Sequence, residues 1–132
     1  MNHRSTRRVS GRLWQFLPAL SGWSPYAIWD CTREHFVALF LDGAHRVASY
    51  SIVAIGTANS CQAHPREVLQ RAILCGAISL IIAHNHPSGD LTPSNEDRKV
   101  TKHLREACDL IGIRFLDHLI INDSDHRSLD EC

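Results

Sequence analysis

The sequence has no dominant charge. Lys plus Arg number 14 and Asp plus Glu number 14 in 132 residues, so the formal net charge is zero, and the basic excess of a typical nucleic-acid binder is missing. Long hydrophobic runs are also missing. Phe36–Leu41 and Ile78–Ala83 are the kind of short apolar stretch that builds a core strand, far below the roughly 20 residues of a membrane helix. Leu13–Leu20 is short and broken by Gln15 and Pro18, which argues against a secretory leader. The five cysteines stand at 31, 61, 75, 108 and 132 with no Cys-x-x-Cys pair. An odd count without that spacing excludes a disulfide framework and a cysteine zinc site as first readings, and it suits a reducing, cytoplasmic compartment. Cys75 and Cys108 sit inside apolar patterns and are expected to be small core residues.

The charge that is present is uneven. Arg4, Arg7, Arg8 and Arg12 occupy the first dozen residues without an acid, the pattern of a solvated tail. All three tryptophans follow within Leu13–Trp29. No Lys or Arg lies between Arg12 and Arg33, so these aromatics read as cover for a core rather than a base-stacking platform. Residues 1–30 are therefore taken as a variable segment, basic tail plus aromatic cover. Residues 31–122 form the domain, and 123–132 form a frayed acidic tail.

From His35 onward the periodicity sharpens. An apolar run to Leu41, a turn at Asp42-Gly43 and an alternating stretch from Val47 to Ile55 predict two hairpin-linked strands. Pro65 at a first helical position and Glu67 in the first turn open a helix with a stripe of Val68, Leu69, Ala72, Ile73 and Cys75, stopped by Gly76. Ile78–Ala83 predicts a buried central strand, parallel to a neighbour. A second helix from about Asn95 to Ile111 carries Val100, Leu104, Ala107, Cys108 and Ile111, and a last strand spans Ile113–Ile121. The order strand, strand, helix, strand, helix, strand is that of a single α/β domain, one mixed sheet with flanking helices.

The chemistry is concentrated in His84-Asn85-His86-Pro87-Ser88-Gly89-Asp90 and the residues after it. Period two puts the His84 and His86 rings on one side of a strand end, with Asn85 opposite. A polar loop directly after a buried strand is where an open α/β sheet places its site. Two imidazoles can share a divalent ion if a third ligand arrives, and Asp97, in the first turn of the next helix, can supply it. Ser94-Asn95-Glu96-Asp97 is equally a capping box with Asp97 at the third helical position. A general base is also needed. Glu34, just ahead of the first strand, and Glu67 are the two candidates.

The spacing Glu34, His84-x-His86, seven residues, Ser94, two residues, Asp97 resembles the JAMM motif of the MPN/JAB metalloprotease superfamily. More closely, about 90 of the 132 residues, from Arg33 to about Asn122, resemble the RadC family. The matching words are Arg33-Glu34-His35-Phe36, Pro65-Arg66-Glu67-Val68, His84 to Gly89, Pro93-Ser94 with Asp97, and Asp117-His118-Leu119-Ile120-Ile121. The resemblance implies a JAB/MPN-like fold of cytidine-deaminase-like architecture. It implies one zinc ion on His84, His86 and Asp97, Glu34 as general acid/base, and Ser94 as hydrogen-bond donor to a tetrahedral oxyanion. It thus implies a hydrolase for a peptide or isopeptide bond in a peptide or protein substrate.

The family's name implies a second class of function, a DNA-repair accessory protein associating with DNA or repair proteins around a structural metal. Longer members carry an upstream helix-hairpin-helix region, which residues 1–30 do not match. The usual final aromatic-Ser-Phe strand is reduced here to His126-Arg127-Ser128-Leu129. The His-Asn-His letters are not an HNH nuclease unit, and the His-x-Glu with Pro-Cys-x-x-Cys of the zinc deaminases is missing. Asp117 and His118 face opposite sides of their strand, so only one of them can orient a metal ligand.

Overall fold

The computed structural model describes residues 34–56, 64–122 and 125–129. The basic tail and the tryptophan-rich stretch expected over 1–30 lie outside the described residues.

Strand β1 (Glu34–Leu41) is apolar at nearly every position because both its faces are covered. It lies between β2 (Val47–Gly56) and β3 (Ser79–Asn85), antiparallel to both. The β1–β2 connection spans residues 42–46, between the strand ends expected from the sequence. Asp42 closes it, its carboxylate accepting from the backbone N–H groups of Ala44 and Arg46, and His45, not Gly43, takes the left-handed conformation at φ 59°. Helix α1 (Pro65–Leu74) starts on a His64 cap with proline at its first position. Helix α2 (Asn95–Ile111) joins β3 to β4 (Arg114–Ile121), which runs parallel to β3. Gly112 ends α2 at φ 80°, a left-handed turn that a side chain would resist. The sheet order is β2-β1-β3-β4 followed by β5, a short strand at His126–Ser128, with β3 central.

Strand β5 (His126–Ser128) differs from expectation. It pairs antiparallel with β4 inside the segment expected to fray, and Ser128 and Leu129 are buried. Acidic composition suggested a solvated tail, but a three-residue strand is held by its partner and by the Ser128 hydroxyl donating to Asp117 at 2.6 Å.

The helices pack on one face of the sheet. Phe36, Ala38, Phe40, Leu80, Ile82 and Phe115 meet Val68 and Ala72 of α1 and Leu104 and Cys108 of α2. Truncating Leu80 or Leu104 to alanine would cost about 2–5 kcal/mol. The opposite face is formed by Val37, Leu39, Ile81, Ala83 and Leu119, all fully buried. Four expected core residues lie at the surface: Ile78, 57% exposed just ahead of β3, Ile111, 43% exposed in the last turn of α2, and Cys75 and Ile73 from the stripe of the first helix. Cys75 is exposed as the C-terminal cap of α1, because the chain has left the helix before the stripe returns to the sheet. Ile73 is 62% exposed for the neighbouring reason, one residue round from buried Ala72. Cys108 is buried as expected.

One irregularity decides what faces the helices. Leu80 pairs with Phe115 but Ile81 pairs with Asp117, so Leu116 is an extra residue in β4. A bulge of this kind reverses the alternation beyond it. His118 thereby joins Phe115 on the helix side, and Asp117 turns to the other.

Candidate metal centre

The site forms where β3 runs out of apolar residues. His84 is fully buried at the end of that strand, paired across from Phe36 of β1 and Ile120 of β4. Its ring stacks on Phe36 with centroids 5.6 Å apart and planes 16° apart. A buried imidazole must have partners for both nitrogens, and both are provided. Nδ1 lies 2.6 Å from His118 Nε2. Nε2 points to the mouth of the site.

His86 stands one residue beyond β3, on the same side as His84, with the two Nε2 atoms 3.0 Å apart. Asn85 points away and its Oδ1 accepts from the His35 backbone N–H at 2.7 Å. That bond ties the start of β1 to the end of β3. The loop after His86 folds back through Gly89, whose φ of 78° needs glycine. The Gly89 carbonyl accepts from Asn122 at the end of β4. The loop also brings the Asp90 carbonyl to 2.8 Å from His86 Nδ1. A carbonyl only accepts, so Nδ1 carries a proton and Nε2 is the lone-pair nitrogen of the neutral ring.

Asp97 arrives from the first turn of α2. Ser94 caps that helix by accepting from the Asp97 backbone N–H at 3.1 Å, and the Asp97 carboxylate accepts from the Ser94 backbone N–H at 2.8 Å. This is the capping box expected from the sequence, and it orients the carboxylate. Oδ1 then lies 3.0 Å from His84 Nε2 and Oδ2 2.9 Å from His86 Nε2. Cap and candidate ligand are one side chain in one conformation.

Glu34, the first residue of β1, completes the group with Oε1 3.7 Å from His84 Nε2. Ligand atoms of Glu34, His84, His86 and Asp97 all fall within 4.8 Å of one another. Glu67, the rival acid, is exposed in the first turn of α1 and is not among these four. Ser94 is exposed at the rim, its hydroxyl oxygen engaged by Asp97 and its hydroxyl proton unused by that bond.

The electrostatics follow from the packing. Burial works against the charge of Asp97, but the adjoining His84 and His86 rings outweigh it and hold the carboxyl well below the usual carboxylate range. The bond to Asp97 pushes His86 up. Burial pushes Glu34 up, against the pull of His84 and His86. Complete burial, with His84 alongside, pushes His118 well down, so its ring is neutral.

The donor set fits a cation. Three tetrahedral donors at about 2.0–2.2 Å from a metal stand roughly 3.3–3.6 Å from each other. The 2.9–3.0 Å separations here need only a few tenths of an ångström of expansion. An imidazole lone pair and a carboxylate converging at such range repel unless a proton or a metal lies between them. Thr101 of α2 and His118 of β4 stand behind His84. Thr101 was invisible to motif reading, although its place four residues after Asp97 on the same helix face was a usable signal.

The family described as the RadC-like JAB domain matches residues 22–132, wider at both ends than the 31–122 expected from sequence words. A UPF0758 protein of Actinobacillus pleuropneumoniae serotype 5b is 46% identical over 99 residues, 75% of this chain and 45% of its own length. One from Pelobacter propionicus is 45% identical over 106 residues, 80% of this chain and 46% of its own. Another, from Desulforamulus reducens, is 51% identical over 100 residues, 76% of this chain and 44% of its own. The chain thus spans somewhat under half the length of these relatives, and their names state no activity. No helix among the described residues is long and apolar enough to cross a membrane.

Proposed function

Because the chain belongs to the RadC-like JAB domain family, we propose that its four-residue cluster holds one zinc ion and makes it a JAMM-type metallohydrolase, cleaving a peptide or isopeptide bond in the cytoplasm. The observation that carries this reading is the division of labour within the cluster. His84, His86 and Asp97 crowd to 2.9–3.0 Å while Glu34 stays 3.7 Å off, three ligands and one free acid. Two imidazoles and one carboxylate suit zinc, leaving a position open. A purely structural ion needs no such fourth residue.

When bound, zinc supplies a Lewis acid that lowers the pKa of a water toward about 7. The chain's own residues do the rest. Glu34 takes the proton of the attacking water and returns it to the leaving amine. Its carboxyl, pushed up by burial, is closer to neutral pH than an exposed glutamate, as a two-way proton carrier should be. Asn85 holds the start of β1, and so the Glu34 backbone, against the end of β3. The Ser94 hydroxyl proton, left over from capping, is the donor for the developing oxyanion, a contribution typically worth on the order of 100-fold or more in rate. The substrate and partners of the longer relatives belong to this proposal too. No specific observation favours the DNA-accessory reading.

The test loads the full chain with zinc and offers it a library of peptides and lysine isopeptides, with products read by mass spectrometry. Glu34→Gln should retain one zinc and lose cleavage by roughly 100-fold or more. Equal cleavage by both proteins, or none by the wild type, overturns the reading.

A further inference from the structure

Behind the site lies a chain of hydrogen bonds whose direction is fully determined by chemistry. It ends on the backbone carbonyl of Asp97, which accepts from the Thr101 hydroxyl at 2.9 Å. A carbonyl has no proton to give, so the hydroxyl proton is spent there. The Thr101 oxygen also meets His118 Nδ1 at 2.5 Å, and in that contact it can only accept. His118 Nδ1 therefore carries the proton, and Nε2 of the neutral ring is a lone pair. That lone pair faces His84 Nδ1 at 2.6 Å, so His84 Nδ1 must donate. The proton of a neutral His84 is then on the inner nitrogen. The Nε2 lone pair faces Asp97 and His86.

We propose that Thr101 and His118 are positioning residues that lock His84 in its metal-binding tautomer and ring orientation. The proposal rests on the zinc reading above and adds to it the residues that preset the ligand. Three features make the device specific. The relay is dry: His84 and His118 are fully buried and Thr101 is 8% exposed, so water does not compete for its bonds. It is closed, since it starts at a ligand side chain, His84, and ends at the main chain of another, Asp97. It depends on the β4 bulge at Leu116, without which His118 would face the other side of the sheet. The rings are also fixed laterally, Phe36 stacking on His84 and meeting His118 edge-on at 5.5 Å. Outer partners of this kind typically change metal affinity by about 10–100-fold.

The experiment compares full-length wild type with Thr101→Val, which keeps the shape and loses the hydroxyl, and Thr101→Ser, which keeps the hydroxyl. Two readouts are taken: zinc affinity by competition with a chromophoric chelator, and histidine tautomers of the metal-free protein from long-range proton–nitrogen NMR spectra. Wild type and Thr101→Ser should both show His84 and His118 protonated on Nδ1 and bind zinc within about threefold of each other. Thr101→Val should lose the single His118 tautomer and bind zinc about 10–100-fold more weakly. If Thr101→Val folds poorly, Thr101→Ala set against Thr101→Ser gives the same contrast. Equal zinc affinity for all variants, or a His84 that lacks its Nδ1 proton in wild type, overturns the relay while leaving the zinc reading intact. No zinc uptake by wild type overturns the zinc reading, and the relay's role with it.

Discussion

The two helices begin alike and end up serving different purposes. Each follows a capping residue, His64 or Ser94, and each carries an acid at its third position, Glu67 or Asp97. At α1 that acid is exposed to water, and its part is the ordinary one of complementing the helix dipole. At α2 the acid is buried and touches two imidazoles at 2.9–3.0 Å. The local sequence signals are nearly equivalent, so the difference comes from what stands opposite. Helix α2 follows the central strand through a loop that doubles back over His84 and His86, and helix α1 has no such pair before it. A capping box and a metal ligand are therefore not competing explanations of Asp97. The cap is what holds the carboxylate still.

The sharpest way to break this comparison is to remove both acids. Asp97→Ala should lower zinc affinity by more than about 100-fold and cost the metal-free chain roughly 1–2 kcal/mol through the lost box. Glu67→Ala should leave zinc affinity unchanged and stability within about 0.5 kcal/mol. Urea unfolding and chelator competition measure both, and equal effects at the two positions would erase the distinction.

The caps themselves give a smaller contrast. Ser94→Ala should destabilise by about 1 kcal/mol. His64→Ala should cost only a few tenths, because the His64 side chain caps through one exposed bond of 3.3 Å. Thermal unfolding without metal separates the two, and a larger loss at His64 would contradict the account of which helix start is more tightly built.

The smallest effect is a drift with pH whose sign depends on the ion. In the metal-free fold the bond to Asp97 raises the pKa of His86. The stability this contributes is complete below the ordinary histidine value near 6.5 and is lost as pH rises through the folded value. Metal-free protein should therefore weaken from about pH 6.5 upward. With zinc bound the ligands must be deprotonated, so the stabilisation by zinc should grow with pH over the same window. Urea midpoints at several pH values, with and without zinc, check this, and parallel slopes would count against a shared site.

How much of this could be read from the sequence depended on distance along the chain. The stretch from β3 to α2 was legible because its signals are local: an apolar strand, His-x-His at period two, a Pro/Gly loop and a capping box. Glu34 was less so, since only the pairing of β1 with β3, Phe36 opposite His84, brings it to the histidines. The bulge at Leu116 left no local mark, and with it the choice of His118 over Asp117 stayed open until the strands were paired. Strand β5 was hidden for a similar reason, because a three-residue strand in acidic sequence exists by virtue of its partner. Cys75 and Ile73 show the converse error, in which apolar residues near a helix end follow the stripe without reaching the sheet.

The most direct measurement is the metal content of the full chain, purified after zinc supply and exhaustive removal of loosely held ions, beside its His86→Ala variant. About one equivalent of zinc in the wild type and almost none in the variant is the predicted result. A wild type without zinc, or equal zinc in both proteins, would contradict the claim that these imidazoles and Asp97 form one metal site.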